Sequence, residues 1–322
     1  MIGYILRRFG AAALVLFAIS VLVFLIFFAT PGVDPAARIA GKNADPATLE
    51  QVRASFGFDR PLPVQYLMMM KHLFVTHDLT SFVNRGTLVI PQIVEAIPVT
   101  LSLVVGAAVI WMVLGVAMGT LAGAMRGTLI DPLVMLLGVF GVSLPVYWLG
   151  EVVNLLTQKQ LHDSVFSWVP PLGYAPLSQG VGQWALHLLL PWLTLALLYA
   201  GIYARLLRGE LAGALNEDYV RTARAKGLSE RRVLLRHALR CSLIPIVSLF
   251  GLDFGALVGG AALLTEVVFG LPGVGKLTYQ ALQNLDLPVI MGTVLYAAFF
   301  VVLANAVVDV VYARLDPRVR RA

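Results

Sequence analysis

The chain has 322 residues, of which 59% are hydrophobic and only 13% are charged, with a formal net charge of +6. A soluble domain carries about 25% charged residues, so this composition excludes an ordinary soluble enzyme and predicts that lipid surrounds most of the chain. The single cysteine, Cys241, excludes an internal disulfide framework and a cysteine-cluster metal site.

Six stretches are long and apolar enough to cross a bilayer, which takes about 20 residues. They are residues 9–29, 98–122, 133–156, 187–207, 242–264 and 289–313. The first of them follows Arg7 and Arg8 and has 21 apolar or small residues. Because the apolar region of a cleavable signal peptide has only about 7–15 residues, we predict a retained anchor helix.

The distribution of basic residues predicts the orientation. If the N-terminus is cytoplasmic and the spans alternate, 16 of the 24 Lys and Arg residues lie inside, nine of them between residues 205 and 240. This bias follows the positive-inside rule. It predicts an all-α polytopic membrane protein with six transmembrane helices and both termini in the cytoplasm, and it explains the net charge without nucleic acid.

The same topology predicts how the chain is divided. Residues 1–29 form the N-terminal anchor helix, and residues 30–97 form an extracytoplasmic segment. A five-helix core follows over 98–313, with a cytoplasmic loop at 208–241, and a basic cytoplasmic tail occupies 314–322.

The extracytoplasmic segment contains one stretch with a helical pattern, YLMMMKHLFV at 66–75. His72, within this stretch, lies close in sequence to His77 and Asp78, which follow it. Their spacing matches no strong metal-ligand motif, so we predict no metal site.

The loop at 208–241 contains a segment too polar to enter the bilayer and too short to fold alone. Asn216 is a candidate helix cap, and Tyr219, Val220 and Ala223 are spaced to share one helical face. Gly227 fits a helix stop. Ser229 then begins a second predicted short helix that runs toward Pro245.

A basic amphipathic helix of this kind binds either the lipid surface or a protein partner. The break at Gly227 and the small Ala223 and Ala225 favour a protein, because small residues let another surface approach closely. The candidate docking residues are Tyr219, Val220, Arg221, Ala223, Ala225, Lys226, Gly227 and Leu228.

Residues 269–277, FGLPGVGKL, match the beginning of a nucleotide-binding G-x-x-x-x-G-K loop through Gly270, Gly275 and Lys276. The hydroxyl that would hold Mg²⁺ is replaced by Leu277, and the predicted topology places the segment outside the cell. We therefore predict an outer hairpin or gate, with Glu266 solvated at the membrane interface. Its candidate residues are Glu266, Phe269, Gly270, Pro272, Gly273 and Gly275.

Asp253 is the one acidic residue well inside a predicted span. A carboxylate in lipid is costly and is a functional candidate by default. It either lines the transport pathway, where it could meet a cationic group of the cargo, or makes a hydrogen-bonded contact with a neighbouring helix.

Several segments resemble the permeases of ATP-binding-cassette (ABC) importers in the dipeptide/oligopeptide (peptide/nickel) family. The most specific are YVRTARAKGL at 219–228 with HALRCSLIP at 237–245, LLTEVVFGLPGVGKL at 263–277 and DVVYARLDPR at 309–318. Further landmarks such as SLPVYWLG at 143–150 extend the resemblance over nearly the whole chain.

The resemblance implies a type I importer core in a bacterial plasma membrane. It also implies a second homologous permease, usually a different chain, one or two cytoplasmic ATPase subunits and an extracytoplasmic substrate-binding protein. The chain itself would be non-catalytic and bind no cofactor, since ATP and Mg²⁺ are used by the ATPases. The implied cargo is a di- or oligopeptide.

Other functions remain open at this point. Nickel or another small solute is a possible cargo in the same family. An ion-coupled secondary transporter would need ionisable relays within its spans, which are sparse here. A membrane enzyme would need paired catalytic groups, and the five histidines form no HExxH array.

Overall fold

Helices make up nearly all the regular structure of the computed structural model, which describes residues 2–28, 36–37, 45–84 and 86–315. Within these ranges no strand forms beyond an isolated antiparallel bridge between Thr80 and Leu88. The helices are α1 (Ile2–Phe28), α2 (Pro46–Phe56), α3 (Leu62–Phe74), α4 (Val89–Ala124), α5 (Ile130–Ser143), α6 (Val146–Leu155), α7 (Val181–Ala214), α8 (Asp218–Ala225), α9 (Glu230–Ala261), α10 (Leu263–Val268), α11 (Val274–Asn284) and α12 (Leu287–Leu315).

Among the residues that the structure describes, four helices are long and apolar enough to cross a membrane: α4, α7, α9 and the Leu287–Val308 part of α12. The bent pair α5–α6 makes a fifth if it counts as one span. The apolar part of α1, Gly10–Ile26, is shorter than the others. Most of the basic tail at 314–322 and the segment 29–35 lie outside the described residues, and the six-span topology stays a prediction.

The stretch predicted as one span at 133–156 is bent by 88° between α5 and α6. Leu144 is extended (φ −94°, ψ 127°) and Pro145 precedes the first turn of α6. A residue before proline is pushed out of the helical region by the proline ring, which explains the break.

The prediction of a separate short helix over 229–245 is wrong, because those residues form the beginning of the long helix α9. Two π-helical segments, Val233–Ala238 and Leu257–Ala261, lie within α9. Pro245 is also inside it.

Close packing of α4 against α7 forms the centre of the bundle. A Cβ atom added to Gly115 would lie 2.7 Å from the Tyr203 Cβ, and one added to Gly119 would lie 2.8 Å from the Ala204 carbonyl oxygen. Glycine therefore lets the two backbones approach, as in other membrane helix pairs. Trp111 is fully buried between the helices and stacks on Tyr199, with their ring centroids 4.8 Å apart.

A second apolar cluster joins α1, α3 and the beginning of α12 through residues such as Phe24, Leu73 and Met291. Beside it, Asp286 accepts hydrogen bonds from the Ser81 hydroxyl and from the Phe82 N–H, the latter at 3.0 Å. This carboxylate attaches Ser81 and Phe82 to the connection between α11 and α12.

Candidate functional site

The short helix α8 begins at Asp218, and Glu217 occupies the preceding cap position. The prediction that Asn216 caps this helix is wrong: its Nδ2 donates to the Ala212 carbonyl at 2.9 Å, at the end of α7. Asn216 is thus used by the preceding helix. The acidic Asp218 lies in the first turn of α8, where the helix dipole favours negative charge.

The predicted stop at Gly227 is confirmed. Its φ of +77° is in the left-handed region that glycine occupies without steric cost, and its N–H donates to the Arg224 carbonyl at 2.9 Å. Apart from the two flanking residues, no atom of the described part of the chain lies within 4 Å of a Cβ built at this position. Ser229 takes the cap position of α9, but its side chain makes no capping hydrogen bond.

One face of α8 rests on the ends of its neighbours. Val220 is fully buried and Ala223 nearly so, in a small cluster with Leu211, Val233 and Ala238. Tyr219, predicted to share this face, is 41% exposed. Apolar packing on both adjoining helices gives α8 a fixed position that its length alone could not provide.

The remaining docking candidates lie on the open side of α8 and its turn. Arg224 holds the turn closed through a two-bond contact with Glu230, with Nε–Oε1 at 2.8 Å and Nη2–Oε2 at 3.1 Å. Both side chains are well exposed, so this pair shapes the turn more than it stabilises the fold. The exposed docking residues are Tyr219, Arg221, Ala225, Lys226 and Gly227, and Leu228 is half-buried.

Asp253 makes the helix contact that was one of its two predicted roles. The Tyr203 hydroxyl of α7 donates to Asp253 Oδ2 at 2.9 Å. Tyr203 is fully buried, whereas Asp253 is partly exposed. One carboxylate oxygen is therefore engaged by α7, and contact between Asp253 and cargo stays a prediction.

The α10–α11 hairpin, residues 263–284, is organised around a buried carboxylate. Glu266 has 0% of its surface exposed, so the prediction that it is solvated at the interface is wrong. Its Oε1 accepts from the Thr100 hydroxyl of α4 at 2.6 Å, and its Oε2 accepts from the Lys276 N–H at 2.9 Å. The Val274 N–H donates to the Thr100 hydroxyl at 2.9 Å.

These bonds satisfy N–H groups that a helix leaves unpaired at its N-terminus. The first turn of α11 begins at Val274, and its amides point at Thr100 and Glu266, which belong to two other helices. Glu266 thereby fastens α11 to α10 and to α4. A negative side chain at this position also favours the helix dipole.

Two glycines leave the space that the carboxylate fills. A Cβ atom on Gly273 would overlap the Glu266 carboxyl group, and one on Gly275 would lie 2.6 Å from the Leu263 Cα. Gly270 forms the turn between the helices at φ +70°. Each glycine of the predicted motif therefore has a role in packing or turning the backbone.

The resemblance to a nucleotide-binding loop ends with Lys276. Its Nζ donates to the Gly270 carbonyl at 3.0 Å, so the charged group closes the hairpin turn. The element before the turn is the helix α10, whereas a nucleotide-binding loop follows a strand. The Phe269 ring is buried beside Gly150 of α6, and Pro272 is exposed.

Burial raises the pKa of Glu266 to about 6, because a charged carboxylate loses its hydration inside the protein. Hydrogen bonds from Thr100 and from the Lys276 and Gly275 amides, and the Lys276 charge, lower this pKa and offset part of the effect. The carboxyl group therefore changes its charge just below neutral pH.

Near α3, His72 Nδ1 lies 2.7 Å from Asp78 Oδ1. The hydrogen bonds from Thr76 and His72 lower the pKa of Asp78. His77 is left-handed at φ +56°. Over the described part of the chain, no three His, Cys, Asp or Glu side chains are placed to share a metal ion.

Three polar side chains were missed in the sequence, namely Thr100, Asp131 and Arg208. The Arg208 guanidinium donates two hydrogen bonds to the Asp131 carboxylate, from Nε to Oδ1 at 3.0 Å and from Nη2 to Oδ2 at 2.7 Å. This pair joins α7 to α5. Opposite charges near two span ends were the available signal for this pair. Thr100 gave no signal, because threonine is common inside apolar helices.

Residues 112–321 match the family described as "Binding-protein-dependent transport system inner membrane component", and residues 1–104 match the N-terminal part described for such membrane components. A Brucella abortus protein named as a peptide transport system permease is 38% identical over 99% of both chains. The glutathione transport system permease protein of Salmonella typhimurium is 38% identical over 99% of both chains. An Escherichia coli protein named for D,D-dipeptide transport is 36% identical over 98% of this chain and 96% of its own.

Proposed function

Because the chain belongs to the binding-protein-dependent transport system inner membrane component family, we propose that it forms half of the translocation pathway of an ATP-driven importer for di- or oligopeptides. The cargo is supported by relatives named for peptide, glutathione and D,D-dipeptide transport. ATP and Mg²⁺ are used by separate ATPase subunits, and the chain itself is a non-catalytic subunit.

The proposed topology has six spans, both termini in the cytoplasm and the bacterial plasma membrane as its location. It is supported by the inward bias of Lys and Arg. In this orientation α8 lies on the cytoplasmic face and the α10–α11 hairpin lies on the outer face. An extracytoplasmic binding protein delivers the cargo to that outer face.

The main support for the proposal is the way α8 packs against the ends of its two neighbouring helices. Val220 and Ala223 anchor it on Leu211 of α7 and Val233 of α9, while its charged side stays open. A movement of α8 therefore displaces the ends of both long helices. When two ATPase subunits close on ATP, they carry this helix along and switch the pathway between its inward-open and outward-open states.

Affinity purification of the tagged chain from a mild detergent, followed by mass spectrometry, tests the proposal. We expect a second permease and one or two ATPases to accompany it. A variant with Tyr219, Arg221 and Lys226 changed to Ala tests the docking surface, since all three side chains are exposed and none belongs to the buried cluster that anchors α8. It should lose the ATPases and keep the second permease. A chain that purifies without any ATPase, under conditions that preserve other transporter complexes, would refute the proposal.

We expect Asp253→Asn to change peptide uptake by less than about twofold. The asparagine oxygen can still accept the Tyr203 hydroxyl, so the contact between α7 and α9 survives without the charge. Uptake of several peptides that differ in charge measures the effect. A selective loss of cationic peptides would instead place Asp253 in the pathway.

A further inference from the structure

A groove runs between α7 and α9 toward the short helix α8. It consists of two adjoining cavities, of about 490 Å³ and about 310 Å³, which share Gly209 and Glu210 of α7 as lining residues. Leu249 of α9 lines the larger cavity, and Tyr219 of α8 lines the smaller one. Pockets for small ligands have volumes of about 300–1,000 Å³, so this groove is large enough for a compact solute. We call it the α7–α9 groove.

Two side chains of opposite charge line the larger cavity, and neither has an ionic partner. Arg205 and Glu210 are both exposed, and neither forms an ion pair with any residue that the structure describes. Charged partners on a helix lie three or four positions apart, and at those positions α7 offers no opposite charge to either residue. Arg208 of the same helix, by contrast, is held by Asp131. Arg205 and Glu210 are therefore free to bind a charged solute.

Apolar side chains surround these two charges in the larger cavity. Ile202 and Leu206 of α7 line it together with Leu249 of α9. The helix α7 is one of the candidate membrane spans. Ionisable residues on such helices usually face the bundle interior or a water-filled cavity, and they mark the routes of polar solutes. A few charged groups in a mainly apolar pocket also fix the orientation of a bound ligand.

Within the described residues, Glu210 is the acid that both cavities share. Asp253 lies one turn beyond Leu249 on α9, but it lines neither cavity, and one of its carboxylate oxygens is engaged by α7. Glu217 lines only the smaller cavity, at the beginning of α8. Arg205 is the basic residue of the larger cavity. The groove thus offers one group for a cation and one group for an anion.

We propose that the α7–α9 groove is a binding site for peptides with free ends, in which Glu210 binds the ammonium group and Arg205 binds the carboxylate. Residues five apart on an α-helix have their Cα atoms about 9 Å from each other. An extended dipeptide spans about 7 Å, so two flexible side chains reach both of its ends. Arginine also binds a carboxylate through two parallel hydrogen bonds. The site rests on the proposed function, because a peptide reaches the groove only if the chain lines a peptide pathway.

A thiol placed in the groove measures binding without the extracytoplasmic binding protein. In a Cys241→Ser background, Gly209→Cys is the reporter, because Gly209 lines both cavities. Beyond its own helix, no atom of the described residues lies within 4 Å of a Cβ at this position. Leu129→Cys is the reference, since Leu129 is 87% exposed and lies outside the groove. Maleimide labelling of the purified complex without ATP is followed by mass spectrometry, which separates the cysteine of this chain from those of other subunits.

Three probes separate the two ends of the ligand: a dipeptide, the same dipeptide acetylated at its N-terminus, and the same dipeptide amidated at its C-terminus. At about ten times its half-effect concentration, the free dipeptide should slow labelling of the Gly209→Cys reporter about tenfold. Labelling of the reference should not change. Each blocked form should need a concentration roughly tenfold higher, because it lacks one hydrogen-bonded charge.

Glu210→Gln and Arg205→Gln, each added to the reporter, are controls for each other. In Glu210→Gln the free and the acetylated dipeptide should bind equally, while the amidated form stays weaker. In Arg205→Gln the free and the amidated dipeptide should bind equally, while the acetylated form stays weaker. Equal weakening of all three probes in both variants would refute the assignment of the two ends.

The site is refuted if the free dipeptide does not slow labelling of the reporter, or if the blocked forms slow it as well as the free one. A reporter that is not labelled even without peptide would also refute it, because another chain would then fill the groove. ATP hydrolysis by the same complex with its binding protein separates this result from the proposed function. A complex that responds to peptide but shows no protection is an importer without this site, whereas a complex with neither response overturns the peptide cargo as well.

Discussion

Replacing Gly227 with Asp should abolish transport-coupled ATP hydrolysis while the chain still inserts into the membrane. The chain itself has room for the new side chain, because no atom of the described residues beyond the two chain neighbours lies within 4 Å of a Cβ at this position. Aspartate is also among the residues that best tolerate a positive φ. The added charge instead occupies the open surface beside α8, where the ATPase would dock. ATP hydrolysis by the purified complex, with and without binding protein and peptide, measures the coupling.

Gly127→Asp is the matched control. Gly127 has φ +83° and the same open surroundings, and it lies in the connection between α4 and α5. The Asp131–Arg208 pair ties that connection to the half of α7 that leads to α8, so both glycines are near the same end of the bundle. The control should hydrolyse ATP normally. Normal coupling in Gly227→Asp would remove this turn from the docking surface.

Val220→Asp should release α8 from the bundle and uncouple hydrolysis from transport. Val220 is fully buried, and an unpaired charge in such a place costs on the order of 3–5 kcal/mol. Detachment of α8 exposes the new charge to water at the lowest cost in free energy. The helix has only eight residues, so it can detach while the long helices stay packed. We expect peptide uptake to be lost and the complex to purify with less ATPase.

Limited trypsin digestion of the purified chain reports the release directly. Arg221 and Arg224 lie within α8 and should be cut faster in Val220→Asp than in the parent. Val220→Ile, which keeps an apolar side chain, is the control and should be cut at the parental rate. A Val220→Asp protein with parental cleavage and uptake would show that the packing under α8 does not matter.

Local sequence signals predicted the features that depend on nearby residues. The apolar lengths of α4, α7, α9 and α12 revealed the four long helices, because crossing a bilayer requires an uninterrupted run of such residues. Gly227 revealed the end of α8, because few residues other than glycine take its backbone conformation. Each of these inferences needed only a single stretch of chain.

Partners far apart in the chain were not predictable in this way. Glu266 follows a predicted span and resembles an interfacial acid, but its hydroxyl donor is 166 residues away, at Thr100. Asp286 and Ser81 are 205 residues apart. The prediction for Asn216 was wrong for another reason. Its side chain lies between two helices, and it bonds to the end of α7 instead of capping α8. Which distant residues form a pair, and which of two adjoining helices bonds to a shared side chain, both depend on how the helices pack.

The first turn of α11, which is filled by the Glu266 carboxylate, has a consequence for the medium in which the protein works. Its glycines and amides recreate the features with which other proteins hold phosphate, yet a carboxylate tethered only eight residues before Val274 is always present. A tethered group acts at an effective concentration of at least the millimolar order. Free phosphate or nucleotide would have to outcompete it and also enter a closed site. The hairpin can therefore retain an anion-binding backbone while remaining insensitive to the anions around it.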